Sequence, residues 1–346
     1  MKALVYRTFG QKPVVESVPV PEIAPDGALI RVKATGICRS DWHGWMGHDP
    51  DIRLPHVPGH ELAGVVEKVG AGVRRFRAGD RVTIPFCGGC GHCGQCATGN
   101  QQICDHYYQP GFTGWGSFAE FVAIRYADVN LVHLPADLDF VPAALLGCRF
   151  ITAFRGLIDQ ARLQPGQWVS VFGCGGVGLS AILIAKAAGA RVVAVDISEK
   201  ALQLAQKLGA DHLIQAASPP KVSSEILRCT AGGAHVSMDA LGHTDTCLAG
   251  INALRKRGKH IQVGLMVKEH ASPPIPMGAV ISKELEIIGS HGMPAHRYPA
   301  MFEMIRARKL PLDQLLAQRI SLDEAGDVLT EMNRFPFAGV AVIDRF

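Results

Sequence analysis

The chain has 346 residues, 48% of them hydrophobic and 19% charged, a balance that excludes a disordered protein and leaves room for two domains with separate cores. A formal charge of +4, spread without a basic block, argues against nucleic acid or an anionic membrane as a partner. MKALVYRTFG has no signal-peptide h-region, and the longest apolar window, around Leu179–Ala188, is interrupted by Lys186, so the expected location is the cytoplasm.

Residues 2–35 read as short strands, MKALVY and ALIRVKAT, separated by the Pro/Gly-rich PVPEIAPDG. The next stretch, Gly36–Glu61, reads GICRSDWHGWMGHDPDIRLPHVPGHE. It offers a thiolate at Cys38 and an imidazole at His60, ligands that suit zinc. Asp41, His43 and Glu61 stand beside them as groups able to orient a ligand, carry a proton or adjust the charge of the metal. A third ligand has to come from farther along, with Cys148 the best candidate. Three protein ligands would leave the fourth position open, which is the mark of a catalytic zinc. LAGVVEKV (Leu62–Val69) and DRVTI (Asp80–Ile84) continue the strand pattern, so this half is expected to be β-rich and partly barrel-like, with its functional residues on loops.

Of ten cysteines, five fall in one short run, four of them at metal-ligand spacing, and without a secretion signal such clustering argues for metal over disulfides. The run Cys87–Cys104, CGGCGHCGQCATGNQQIC, sets Cys90, Cys93, Cys96 and Cys104 in a C-x2-C-x2-C-x7-C spacing that fits better without Cys87. A tetrahedral site needs each sulfur about 2.3 Å from one ion, and the interspersed glycines supply a backbone able to fold back that sharply. Four thiolates close the coordination sphere, so this zinc is expected to be structural. Gly111–Phe121, GFTGWGSFAEF, is a Gly/aromatic loop in which Trp115 either lines a pocket or packs as a loop tip. VPAALLGCRFITAFRGL, Val141–Leu157, reads as one helix running into a second, with Cys148 between them.

From Gly166 the pattern alternates strand and helix. The apolar WVSVFG leads directly into Gly173-Cys174-Gly175-Gly176-Val177-Gly178 and the helix LSAILIAKAAG, and the next strand, ARVVAVD, ends in Asp196. A G-x-G-x-x-G after a strand and before a helix, with an acid about twenty residues on, is a dinucleotide-binding fingerprint. The glycines admit the pyrophosphate to the helix N-terminus, where unpaired N–H groups favour an anion. Asp196 is expected to bind the adenosine ribose hydroxyls and repel a 2′-phosphate, favouring NAD over NADP. The alternation continues with helices at Ser198–Leu208, Val222–Cys229 and Thr244–Leu254 and with the strands DHLI, HVSMDAL, HIQVGL and ELEIIGS. Six strands with crossover helices predict an α/β, doubly wound parallel Rossmann sheet whose strand order reverses at the first β–α turn. The loop with Pro273, Pro274, Pro276 and Gly278 is expected to face a subunit partner, and the terminal strand GVAVID to return to the first domain.

Together these motifs resemble the zinc-containing medium-chain alcohol dehydrogenases over essentially the whole chain. GHELAGVVEKVGAGV, Gly59–Val73, is similar to that family's zinc signature, and the four-cysteine lobe and the fingerprint follow in the family's order. The resemblance implies a GroES-like catalytic domain of residues 1–149 and 291–346, with its zinc lobe at 87–104, and a Rossmann domain of residues 150–290. It implies two zinc ions per chain, the catalytic one held by Cys38, His60 and Cys148, with NAD(H) as the cofactor. By the same resemblance Asp41 holds the ligating histidine, and Glu61 is the acid beside the site that approaches the metal when ligands exchange. Ser40 and His43 carry the proton from the substrate hydroxyl to solvent. Arg39 meets the cofactor pyrophosphate, and Thr152, Val177 and Val263 pack near the nicotinamide. Arg149 departs from the family, standing where many members carry a small residue, and is expected to alter the cofactor channel or form an ion pair.

The expected activity is hydride transfer between a primary or secondary alcohol, or the matching aldehyde or ketone, and NAD. Trp42, Trp45, Phe86 and Trp115 are candidates for the substrate pocket or for packing. The same motifs admit a polyol dehydrogenase or an aldehyde reductase. A non-catalytic nucleotide-binding or redox-sensing protein has no need of an open zinc site with a proton relay. The mild charge and the lack of a Lys/Arg stripe speak against a zinc-module nucleic-acid binder. Family analogy implies a homo-oligomer, a tetramer ahead of a dimer.

Overall fold

The computed structural model describes residues 1–216, 218–334 and 337–346. The chain divides into two compact units, one of Met1–Ile151, Gly292–Glu303 and Pro311–Phe346, the other of Thr152–His291 and Met304–Leu310.

The first unit is built on a seven-stranded sheet whose central strand, Ala28–Gly36, alternates buried Ile30, Val32 and Ala34 with exposed Arg31 and Lys33. That period of two turns one face to the core and the other to water. The strand pairs antiparallel with Glu61–Val69 and Phe121–Ile124, and Ile30, Leu62, Val66, Val82 and Val122 share the core beneath it. The C-terminal strand Val340–Arg345 returns, as expected, to pair Val342 with Gly36 and Ile343 with Thr35. Its effect is local: Ile37 N–H donates to the Ala341 carbonyl at 2.9 Å, fixing the backbone one residue before Cys38.

The second unit holds a six-stranded parallel sheet in the order His212–Gln215, Arg191–Asp196, Trp168–Phe172, Ala234–Asp239, Leu254–Gln262 and Glu286–Gly289. The order runs outward in both directions from Trp168–Phe172, the reversal expected at the first β–α turn. The strand expected from His260 begins at Leu254, which pairs with Ala234; residues 255–258, with Arg257 at φ +60°, bulge out before pairing resumes at Lys259 opposite Val236. The segment expected as a loop around Gly278 contains the helix Met277–Lys283 instead.

The stretch expected as two helices is a nearly continuous helical run, 140–160, with the wide π geometry at Leu146–Phe150 and Arg155–Gln160. A wide turn loosens the helical ladder and frees backbone groups. Here the Gly147 carbonyl accepts from Phe86 N–H at 2.8 Å. Cys148 and Arg149 lie in that first wide turn, both buried. No helix of the described residues is long and apolar enough to cross a membrane.

Candidate active site

Cys38 is the N-cap of the helix Arg39–Trp45, and the local sequence explains why. Asp41 at the third helical position reaches back to accept the Cys38 N–H at 2.8 Å, while its own N–H donates to the Cys38 carbonyl at 3.0 Å. This reciprocal capping box fixes Cys38 at the start of the helix. The other Asp41 oxygen accepts from Gly59 N–H at 3.0 Å and lies 2.9 Å from His60 Nδ1. One buried carboxylate therefore orients both Cys38 and His60.

Ligand atoms of Cys38, His60, Glu61 and Cys148 lie within 4.8 Å of one another, all buried. With Nδ1 tied to Asp41, His60 turns Nε2 toward this group, and that nitrogen is buried without a hydrogen-bond partner. A buried polar atom is rarely left unsatisfied, and two soft sulfurs around an unpartnered imidazole nitrogen are the donor set that zinc selects. The residues fit the ion. The neighbouring Cys148 thiol and the Arg149 charge hold Cys38 well below the usual thiol range against the cost of burial. The neighbouring Cys38 and burial push Cys148 up. Burial works against a charge on His60, but the Asp41 carboxylate outweighs it and raises its pKa.

Glu61 is fully buried against Arg149. The guanidinium grips both carboxylate oxygens, with Nε to Oε1 at 3.0 Å and Nη2 to Oε2, and the Arg149 N–H donates to Oε1 at 3.2 Å. Of the two expectations for Arg149, the ion pair is the one present. Burial pushes the Glu61 carboxyl up to about 7, and the Arg149 charge pulls against it.

The remaining residues named from the sequence fall as follows. Ser40 Oγ is 3.8 Å from Cys38 Sγ, and His43 Nδ1 is 3.0 Å from His48 Nδ1, a contact that nothing in the sequence signals. Arg39 donates to the Met332 carbonyl and to Asn333 Oδ1, and its guanidinium stacks on Trp42. Phe86 and Phe112 meet the His60 ring edge-on at 6.2 and 5.4 Å. Phe112 was hidden in a Gly/aromatic loop whose packing has no sequence period. Trp42 and Trp45 belong to the hydrophobic core, Trp115 packs against it, and Trp45 Nε1 donates to the Gln11 carbonyl. In the second unit Thr152 is buried, and Val263 N–H donates to the Asp239 carbonyl at 3.1 Å.

Cys90, Cys93, Cys96 and Cys104 form a second group within the same 4.8 Å limit, while Cys87 stays outside it. Backbone N–H groups of Cys90 and His106 donate to Cys104 Sγ, and that of Cys96 to Cys93 Sγ. Such donors steady thiolates, and the Cys96 N–H helps bring Cys93 down to about 6. Cys96→Ser is expected to cost one zinc equivalent per chain and to open the 87–104 lobe to limited proteolysis that the parent chain resists. Zinc analysis beside a proteolysis time course checks this.

The strand Trp168–Phe172 turns at Gly173, φ +87°, into the helix Gly176–Ala187 capped by Gly175, with Val177 in its first turn. A Cβ at Gly178 would collide with the Gly173 carbonyl oxygen, so only glycine allows this close crossing of strand and helix. Asp196 Oδ2 accepts from Cys174 N–H at 2.6 Å and Oδ1 from Ser198 N–H at 2.7 Å, which pins the carboxylate beside the glycine turn.

Residues 24–136 match the family described as alcohol dehydrogenase GroES-like domain, and residues 176–307 the one described as zinc-binding dehydrogenase. An alcohol dehydrogenase of Rhizobium meliloti is 38% identical over 301 residues, 84% of each chain. An NAD-dependent alcohol dehydrogenase of Sulfurisphaera tokodaii is 32% identical over 357 residues, 99% of each. The solved structure of the alcohol dehydrogenase TADH from Thermus sp. ATN1 has a TM-score of 0.88 at 30% identity, with 100% of both chains covered. This chain belongs to the zinc-containing medium-chain alcohol dehydrogenase family of NAD-dependent oxidoreductases.

Proposed function

We propose that the protein oxidises a primary or secondary alcohol with NAD, or reduces the matching carbonyl, at a centre held by Cys38, His60 and Cys148. The observation that carries this reading is the buried His60 Nε2, unpartnered and set among two buried thiols while Asp41 holds the opposite ring nitrogen. A zinc ion held there supplies Lewis acidity toward the substrate oxygen, and NAD supplies the hydride acceptor. Asp41 fixes the tautomer and aim of His60. Ser40 takes the hydroxyl proton and His43 passes it toward solvent, roles supported by the place of Ser40 beside Cys38 and by the half-exposed ring of His43. Phe86 and Phe112 keep water from the His60 ring.

In this reading residues 1–149 and 291–346 form the catalytic domain and residues 150–290 the dinucleotide-binding domain. Gly173, Gly175, Gly176 and Gly178 admit the pyrophosphate, Arg39 meets it, and Thr152, Val177 and Val263 border the nicotinamide. The lobe of Cys90, Cys93, Cys96 and Cys104 holds the second, structural zinc. Ten free cysteines, eight of them buried, suit a reducing, cytoplasmic setting. A homo-oligomer, a tetramer ahead of a dimer, is supported by the edge strand Glu286–Gly289, which carries exposed Ile287, and by exposed Met277 and Ile281 on the helix Met277–Lys283. Light scattering reads the assembly directly.

Asp196→Ser is expected to raise kcat/KM with NADP relative to NAD by about tenfold or more, because it removes a repulsion of about 1–4 kcal/mol between charges about 4 Å apart. Paired kinetics with the two cofactors check it. The activity itself is tested by following NADH formation with a panel of alcohols, with and without a zinc chelator. Chelator-sensitive turnover is expected. NAD binding with no turnover on any alcohol would favour the non-catalytic reading.

A further inference from the structure

We infer that Arg149 is a positioning residue that holds Glu61 away from the metal centre and so keeps the fourth coordination position available to substrate. The inference rests on Cys38, His60 and Cys148 being the metal ligands. A Glu61 oxygen lies within 4.8 Å of the ligand atoms of all three, so these four residues together would close a tetrahedral shell. A closed shell is a structural site; an open one is catalytic. What separates the two outcomes here is the partner that Glu61 keeps.

Both Glu61 oxygens face the guanidinium edge of Arg149, and Arg149 Nη1 donates to the Ile37 carbonyl at 3.1 Å, which anchors the guanidinium to the backbone leading into Cys38. The pair occupies dedicated room. A Cβ on Gly36 would stand 2.5 Å from Glu61 Oε2 and 2.7 Å from Arg149 Nη2, so glycine at that position leaves both groups the places they hold. The wide turn Leu146–Phe150 presents Cys148 and Arg149 side by side, a metal ligand next to the restraint on the competing ligand.

Charge balance points the same way. Thiolates at Cys38 and Cys148 neutralise a divalent cation, and Arg149 neutralises Glu61, which leaves as the net charge only the Asp41 carboxylate, held by Cys38 N–H, Gly59 N–H and His60. A Glu61 deprived of Arg149 is a buried carboxylate whose nearest remaining cation is the metal, and burial of an unpaired charge drives it there.

The test replaces zinc by cobalt(II), whose visible absorption reports coordination, and titrates imidazole as a neutral fourth ligand. The four-cysteine lobe is closed and contributes a constant background to the difference spectrum. In the parent chain imidazole is expected to change the spectrum by taking the open position. In Arg149→Gln the affinity for imidazole is expected to fall about tenfold or more, and loss of cobalt to a chelator to slow, because Glu61 has become a ligand. Arg149→Gln/Glu61→Gln is expected to regain the imidazole response. If Arg149→Gln does not fold, Arg149→Lys, which keeps the charge without the two-pronged grip, is expected to shift in the same direction. An imidazole response in the single variant equal to that of the parent overturns the inference. No cobalt at Cys38, His60 and Cys148 in the parent chain overturns the ligand reading beneath it.

Discussion

His60→Ala is expected to abolish alcohol-dependent NAD reduction and to remove one zinc equivalent per chain while the other remains. His60 is fully buried, and its Nε2 is the only nitrogen among the ligand atoms of Cys38, His60, Glu61 and Cys148. Alanine leaves two thiolates and a carboxylate already gripped by Arg149, too few free donors for a stable tetrahedral site. Lewis-acid stabilisation is worth several kcal/mol, so the rate is expected to fall by about a thousandfold or more. The four-cysteine lobe shares none of these residues and keeps its metal. Zinc analysis and kinetics on one preparation check both halves. Wild-type turnover in the variant would remove His60 from the chemistry.

Asp41→Ala is expected to lower zinc affinity or turnover by about 10–100-fold, and to weaken the first unit as well. Asp41 is buried and accepts from three groups, Cys38 N–H, Gly59 N–H and His60 Nδ1–H, the last assigned to that nitrogen by the carboxylate it faces. Alanine leaves all three without a partner, at about 1–3 kcal/mol for each group that water does not reach. It also frees the His60 ring to turn and uncaps the helix that presents Cys38. The two effects separate experimentally. Urea unfolding of the metal-free protein reads the loss of hydrogen bonds, and metal competition reads the loss of aim. Unchanged metal affinity beside reduced stability would show Asp41 to be a cap and no more.

Much of this was legible in the sequence because the signals are local. The glycine turn between an apolar strand and helix, with Asp196 ending the following strand, is short-range patterning, and the parallel sheet has the order it implies. The four-cysteine lobe is closed by spacing within eighteen residues, Cys87–Cys104, and its thiols do converge. Cys38, His60 and Cys148 are also brought together, although the sequence offered Cys148 only as the best distant candidate.

What the sequence concealed depends on long-range packing. Glu61 and Arg149 are 88 residues apart, and they meet because a wide helical turn directs Arg149 inward over a glycine. No hydrophobic period announces such a turn. Phe112 reaches His60 from a loop, and Trp45 lies in a core that its glycine- and histidine-rich surroundings disguise. The strand that starts at Leu254 was hidden by its polar RKRGK run, most of which bulges out between the paired Leu254 and Lys259.

The central claim, that Cys38, His60 and Cys148 hold the zinc that carries the reaction, is tested most directly at Cys148. Zinc content and NAD reduction would be measured together on the parent chain and on Cys148→Ser. Two equivalents in the parent, matching the two clusters, are expected to fall to one in the variant, with turnover lost and the Rossmann unit still binding NADH. Full turnover in Cys148→Ser with both equivalents retained would contradict the account.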